Sequence, residues 1–118
     1  YSNGEGVVQD HKKAVQWFHK AADQGDEAGQ FNLGNAYCYG IGVVQDHKKA
    51  VHWYRKAADQ GSVNGQFNLA CMYCDGEGVV QDHKKAVQWY QKAADQGNMN
   101  GQFNLGTMYH HGQGVAQD

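Results

Sequence analysis

GVVQDHKKAV stands at residues 6–15, again at 42–51 and again at 78–87, an interval of 36 residues. The interval holds beyond the phrase. Trp17, Trp53 and Trp89 obey it, as do KAADQG at 20, 56 and 92 and GQFNL at 29, 65 and 101. Self-similarity at a period between about 20 and 50 residues marks stacked supersecondary units, each too small to bury its apolar face alone. Aligned on Asp10, Asp46 and Asp82, the chain divides into units 10–45, 46–81 and 82–117 of one array.

Within a unit the letters read as two helices. Asp10 is placed to cap HKKAVQWFHKAADQ, where a carboxylate accepts from free first-turn amides. Ala14, Trp17, Phe18 and Ala21 fall at i, i+3, i+4 and i+7, one helical face, which makes the tryptophans core residues. Gly25 follows the last turn, where a left-handed residue belongs. Asp26, Ser62 and Asn98 come next in the three copies. They differ in identity, yet all are favoured N-caps, so a second helix starts there and runs over about 27–39. Gly40 and Gly42 end it and open a short loop before the next Asp cap. No stretch alternates with period two for long enough to make a strand. The expectation is an all-α superhelical solenoid of three antiparallel helix pairs.

Mid-helix glycines at 29, 34 and their copies cost about 1 kcal/mol each relative to Ala, so they imply close approach of two helix backbones. Ala70 stands where Gly34 and Gly106 do. Gly34→Ala is therefore expected to be near neutral, and Gly40→Ala, in a left-handed position, to destabilise.

Composition narrows the function classes. The 118 residues are 41% hydrophobic and 19% charged, with a net charge of −2. That suits a folded chain and supplies neither a basic footprint for nucleic acid nor a basic face for anionic lipid. No apolar run approaches the roughly 18 residues of a membrane span. Cys38, Cys71 and Cys74 are odd in number, which speaks against a disulfide framework and for free thiols in a reducing compartment.

LGNAYCYGIGVVQDHKKAVQWFHKAADQG resembles the Sel-one-like repeat, a relative of the tetratricopeptide repeat. The matching residues are Leu33, Gly34, Tyr37, Gly40, Gly42, Val43, Asp46, Lys49, Ala50, Trp53, Tyr54, Lys56, Ala57, Ala58 and Gly61, and the pattern extends over essentially the whole chain. Three features depart from it. Gly29, Gly65 and Gly101 replace a commoner Ala; Val44, Val80 and Ala116 stand where Pro is common; and Ala70 replaces a Gly. The resemblance implies a right-handed superhelix, a scaffold role in protein complexes, no cofactor and no catalytic residues. Cysteine-rich relatives join the two helices of a unit by disulfides. Here every cysteine lies on the second helix, so that feature does not transfer.

CMYC at 71–74 resembles half a zinc site, but four donors must come within about 2.3 Å of one ion. Neighbouring helices stand about 8–10 Å apart, so Cys38, Cys74 and His110, one unit apart, are expected to hold no metal. His11, His47 and His83 follow each capping Asp without a nucleophile at a fixed offset, which points to exposed first-turn residues rather than catalysis.

The second helix carries the more informative pattern. Opposite Leu33, a stripe at i, i+4, i+7 and i+11 reads Ala28-Asn32-Asn35-Tyr39, then Asn64-Asn68-Cys71-Asp75, then Asn100-Asn104-Thr107-His111. One position is always Asn, whose amide both donates and accepts and so pairs with a peptide backbone whatever its side chains. The other three vary. In related superhelices this helix lines the concave surface, so the stripe is the expected site for a protein or peptide partner. Solvation or local backbone capping is the alternative.

Tyr1 to Gly6 match Tyr37 to Gly42, so residues 1–9 read as the end of a preceding unit, and Asp118 as the cap of a following one. The two end surfaces complement each other, which makes head-to-tail self-association through residues such as Phe103 the second expectation.

Overall fold

The computed structural model describes residues 4–113, with side chains from residue 10 onward. Six helices follow in order: α1 Gly4–Asp23, α2 Glu27–Tyr39, α3 His47–Asp59, α4 Val63–Asp75, α5 His83–Asp95 and α6 Met99–His111. No strand occurs among the described residues. Each helix packs chiefly on its sequence neighbours, and the body measures 54 × 26 × 25 Å. The fold is an all-α repeat array.

Local chemistry accounts for the element ends. The Gly29, Gly65 and Gly101 amides donate to Asp26 Oδ2, Ser62 Oγ and Asn98 Oδ1 at 2.9, 3.0 and 2.6 Å, so three different residues perform one capping task. Asp46 and Asp82 accept likewise from the Lys49 and Lys85 amides, both at 3.1 Å. Gly25, Gly61 and Gly97 are left-handed, and Gly40 closes α2 at φ 68°.

The repeated phrase does not always fold the same way. GEGVVQD occurs at 4–10 and at 76–82. At 76–82 it is the loop between α4 and α5, clipped onto the α4 C-terminus by Gln81 Nε2 to the Cys74 carbonyl (2.9 Å) and the Asp82 amide to the Tyr73 carbonyl (2.9 Å). Gly78, at φ 73°, lies so close on the His47 carbonyl that an added Cβ would sit 2.4 Å from its oxygen. At 4–10 the same letters open α1. Asp10 is thus an interior, exposed helix residue and not the cap expected of it. Gly4 to Gly6, read as the end of a preceding unit, belong to this helix. Tyr1, Ala116 and Asp118 lie outside the described residues.

The core is centred elsewhere than on the tryptophans. Tyr54, 1% exposed, and Tyr90 are buried with Ala50, Val51, Ala58, Leu69, Ala70, Met72, Tyr73, Ala86 and Met108. A smaller cluster holds Val15, Ala22, Leu33 and Ala36. Trp17 is 68% exposed, while Trp53 and Trp89 are half-buried at the edges of these clusters. Lys20, Lys56 and Lys92 lie over the three indole rings at 4.9, 5.6 and 4.7 Å. The aliphatic stems of such lysines cover apolar surface while their charge stays wet. Of the expected core stripe, Ala50, Tyr54 and Ala57 in α3 and Ala86, Tyr90 and Ala93 in α5 are buried, and only the tryptophan position falls at its edge. Phe31 and Phe67 meet the Tyr54 and Tyr90 rings at 5.9 and 5.6 Å.

The close contacts expected of the mid-helix glycines occur at 29, 34, 65 and 101 but not at 106, where nothing lies within 4 Å, and one consequence is reversed. Cβ atoms built at Gly29 and Gly65 would meet the Ala21 and Ala57 methyls at 2.7 and 3.0 Å, so paired helices touch backbone to backbone. At Gly34 a Cβ would strike the buried Tyr54 ring at 2.7 Å. Gly34→Ala is accordingly not a neutral change.

A glutamine ladder fixes one unit on the next. Gln60 Nε2 donates to the Gly25 carbonyl (2.9 Å) and to Gln30 Oε1 (2.7 Å). Gln96 repeats this with Gly61 (3.1 Å) and Gln66 (2.9 Å). Gln30 and Gln66, both buried, in turn donate to the Ala22 and Ala58 carbonyls at 3.4 Å. Each rung satisfies polar groups that would be costly to bury alone.

Candidate functional site: three successive concavities

The repeated asparagines line three hollows, of which the second and third lie between successive units. The first, about 150 Å³, is lined by His11, Ala14, Val15, Phe18, Asn32, Asn35, Ala36 and Ile41. The central one, about 340 Å³, has Cys38, Tyr39, Gln45, His47, Tyr54, Phe67, Asn68, Cys71, Met72, Asp75 and Glu77. The third, about 210 Å³, has Cys74, Tyr90, Asn104, Thr107, Met108 and Gln113. Asn32, Asn68 and Asn104 recur at the same register, as do Ile41, Glu77 and Gln113.

Of the stripe residues, Tyr39, Asn68, Cys71 and Asp75 come together in the central hollow, Asn32 and Asn35 in the first, and Asn104 and Thr107 in the third. Asn64, Asn100 and His111 are exposed and line none of them. Ala28 is exposed on the first turn of α2. Gln45, Phe67 and Glu77 line the central hollow without having been singled out, and His47, expected to be an exposed first-turn residue, is half-buried in the same wall. Glu77 had a signal in its letters, since 41, 77 and 113 differ among copies inside an otherwise repeated loop.

Tyr54 Oη donates to Asn35 Oδ1 at 2.5 Å, and Asn68 Nδ2 reaches the same oxygen at 3.3 Å. Asn35 is thus a strut between units as well as part of the stripe. Tyr90 Oη donates to Cys71 Sγ at 3.2 Å, so the thiol takes the role that Asn35 has one unit earlier. Burial pushes both phenols and all three thiols upward from their ordinary values. For Cys38 the Tyr54 hydroxyl works against burial and the Glu77 charge adds to it. Protonated thiols are poor nucleophiles and poor metal ligands. The three cysteines are unpaired by disulfides, and no group of three or more potential metal ligands gathers among the described residues. No helix among them is long and apolar enough to cross a membrane. Carboxylates enter only the central hollow, from Asp75 and Glu77, and His47 Nε2 stands 3.4 Å from Glu77 Oε2.

The array is matched by known proteins. The Sel1 repeat family model matches residues 1–26, 28–62, 63–98 and 100–118. Among solved structures, a protective antigen of uropathogenic Escherichia coli strains with an SLR fold superposes at a TM-score of 0.89 with 44% identity over 92% of this chain and 23% of its own. A Sel1 repeat protein from Oxalobacter formigenes gives 0.87 and 38% over 91% of this chain and 44% of its own. Cysteine rich protein B of Helicobacter pylori gives 0.74 and 24%, over 86% and 90%, which supports the fold. The chain thus spans less than half the length of the first two. A search of curated proteins finds no match. Sel1 repeat proteins are helical and generally serve as non-enzymatic scaffolds for protein interaction. With the family pattern matched along the repeats and the helical array in agreement, the chain belongs to the Sel1 repeat family.

Proposed function

We propose that this chain is a non-catalytic interaction module that binds an extended peptide segment of a partner protein along its second helices, with no cofactor. One observation carries the reading: Asn32, Asn68 and Asn104 recur at one register and each lines a hollow whose other walls differ. A repeated amide suits a repeated backbone, and changing walls suit changing side chains. With units taken as 10–45, 46–81 and 82–117, each contributes one of these asparagines, and the second and third hollows also draw residues from the unit before. The test is the affinity of a display-selected peptide for the unaltered chain and for Asn68→Ala with Asn104→Ala. A loss of about tenfold or more is expected from two removed amide contacts. Unchanged affinity removes the proposal.

A second reading, self-association, draws on the outer face of α6. Phe103 is 74% exposed there, one turn from exposed Met99, whereas its equivalents Phe31 and Phe67 pack at a tilt on Tyr54 and Tyr90. Under that reading Phe103→Ser abolishes concentration-dependent sedimentation, and peptide binding is unaffected.

A further inference from the structure

The three hollows share a plan and differ in charge. Ile41, Val15, Ala14 and Phe18 dominate the first, beside His11 and two asparagines, and the third joins Thr107, Asn104 and Gln113 to Met108 with no carboxylate, lysine or arginine. The central one, the largest of the three, is lined by two carboxylates and by no lysine or arginine. Its one basic side chain is His47, whose Nε2 stands 3.4 Å from Glu77 Oε2 and leaves Glu77 Oε1 and the whole Asp75 carboxylate to a ligand. Asp75 ends α4 and Glu77 lies in the loop beyond Gly76, so the two acids reach the rim from adjacent positions of one turn. Both are exposed. Tyr39, 65% exposed, comes from the unit before, and Phe67 adds a second ring to the wall. Burial chiefly, and Glu77 after it, pushes the Cys38 thiol of the same hollow upward. Aromatic rings and paired carboxylates around one space are complementary to a planar cation, which stacks on the rings and donates two parallel hydrogen bonds. The cations of this chain already sit over its tyrosines: Lys49 over Tyr37 at 5.3 Å and Lys85 over Tyr73 at 5.5 Å.

We propose that the central hollow receives an arginine side chain of the partner peptide, held by Asp75 and Glu77 and covered by Tyr39. This rests on the peptide-binding reading and adds the partner's chemistry to it. The neighbouring hollows then take an apolar residue toward α1 and a neutral polar one toward α6. The charge contribution weakens as salt rises, since both acids face solvent.

The test is selection from a random dodecapeptide display library against the whole chain, and in parallel against Asp75→Asn with Glu77→Gln. The expected result is enrichment of arginine at one position with the unaltered chain and its loss with the variant. Replacing that arginine by citrulline, its uncharged near-isostere, in a selected peptide is expected to weaken binding to the unaltered chain about tenfold. This second comparison needs no folded variant. Peptides selected without arginine enrichment, enrichment that survives in the variant, or citrulline binding as well as arginine would each overturn the assignment of the hollow. All three outcomes leave peptide recognition standing. Selection of no peptide at all would overturn both.

Discussion

Gly34, Ala70 and Gly106 occupy one position in three successive units and meet three different surroundings. A methyl at 34 meets the Tyr54 ring at 2.7 Å, Ala70 is wholly buried in the cluster that holds Tyr90, and a methyl at 106 meets nothing within 4 Å. The same substitution is therefore expected to have opposite signs. Gly34→Ala gains about 1 kcal/mol of helix propensity but is expected to lose more through overpacking, typically about 1–3 kcal/mol. Gly106→Ala keeps the propensity gain and is expected to stabilise by about 0.5–1 kcal/mol. Urea denaturation of the two variants measures the difference, and equal shifts would contradict the packing described. The letters alone invited the opposite expectation for Gly34, because Ala70 showed that a methyl is accepted one unit later. What they did not carry is where each tyrosine ring lies: Tyr54 is held by Asn35, Tyr90 by Cys71.

Helix boundaries were legible wherever side-chain chemistry decides them. Asp26, Ser62 and Asn98 start helices, and Gly40 and its kin end them, as their capping properties require. The reading missed where tertiary contact decides. GEGVVQD is helical at 4–10 and looped at 76–82, because the loop exists through Gln81 and Asp82 bonding to the α4 carbonyls. Within the expected stripe only the tryptophans lie at the edge, while Tyr54 and Tyr90 are buried, since helical spacing gives a face but not which edge of it meets a neighbour. The glutamine ladder was not visible at all; Gln60 and Gln30 are polar letters that only packing makes partners. Gln60→Ala removes the donor to Gln30 Oε1 and the Gly25 carbonyl. It is expected to cost about 1–3 kcal/mol, because buried Gln30 loses its partner. A change below about 0.5 kcal/mol in urea denaturation would show that the ladder does not hold the units.

At the scale of the whole molecule, the period of 36 was sufficient for the array, and the second-helix stripe for the face that carries the hollows. Their differing charges depended on loop residue Glu77 folding back beside Asp75, which no helical register specifies. The array's buried thiols and phenols also give it a pH signature. Cys38, Cys71, Tyr54 and Tyr90 are raised by burial above ordinary values of 9.0 and 10.0. The unfolded chain sheds these protons first. Their stabilising contribution is therefore complete below about pH 9 and is lost as pH climbs toward the folded values. The urea midpoint is expected to be level from about pH 7 to 8.5 and to fall by about pH 10.5. Tyr54→Phe with Tyr90→Phe is expected to make the fall shallower, and an identical slope would sink this attribution.

Recognition along the second helices is the claim on which the functional account stands. Amide chemical-shift mapping of the isotopically labelled chain with a display-selected peptide tests it most directly. The account predicts that the largest shifts gather at Asn32, Asn68, Asn104 and the loop around Glu77. Shifts confined to the outer faces of α3 and α5, around Trp53 and Trp89, would contradict it.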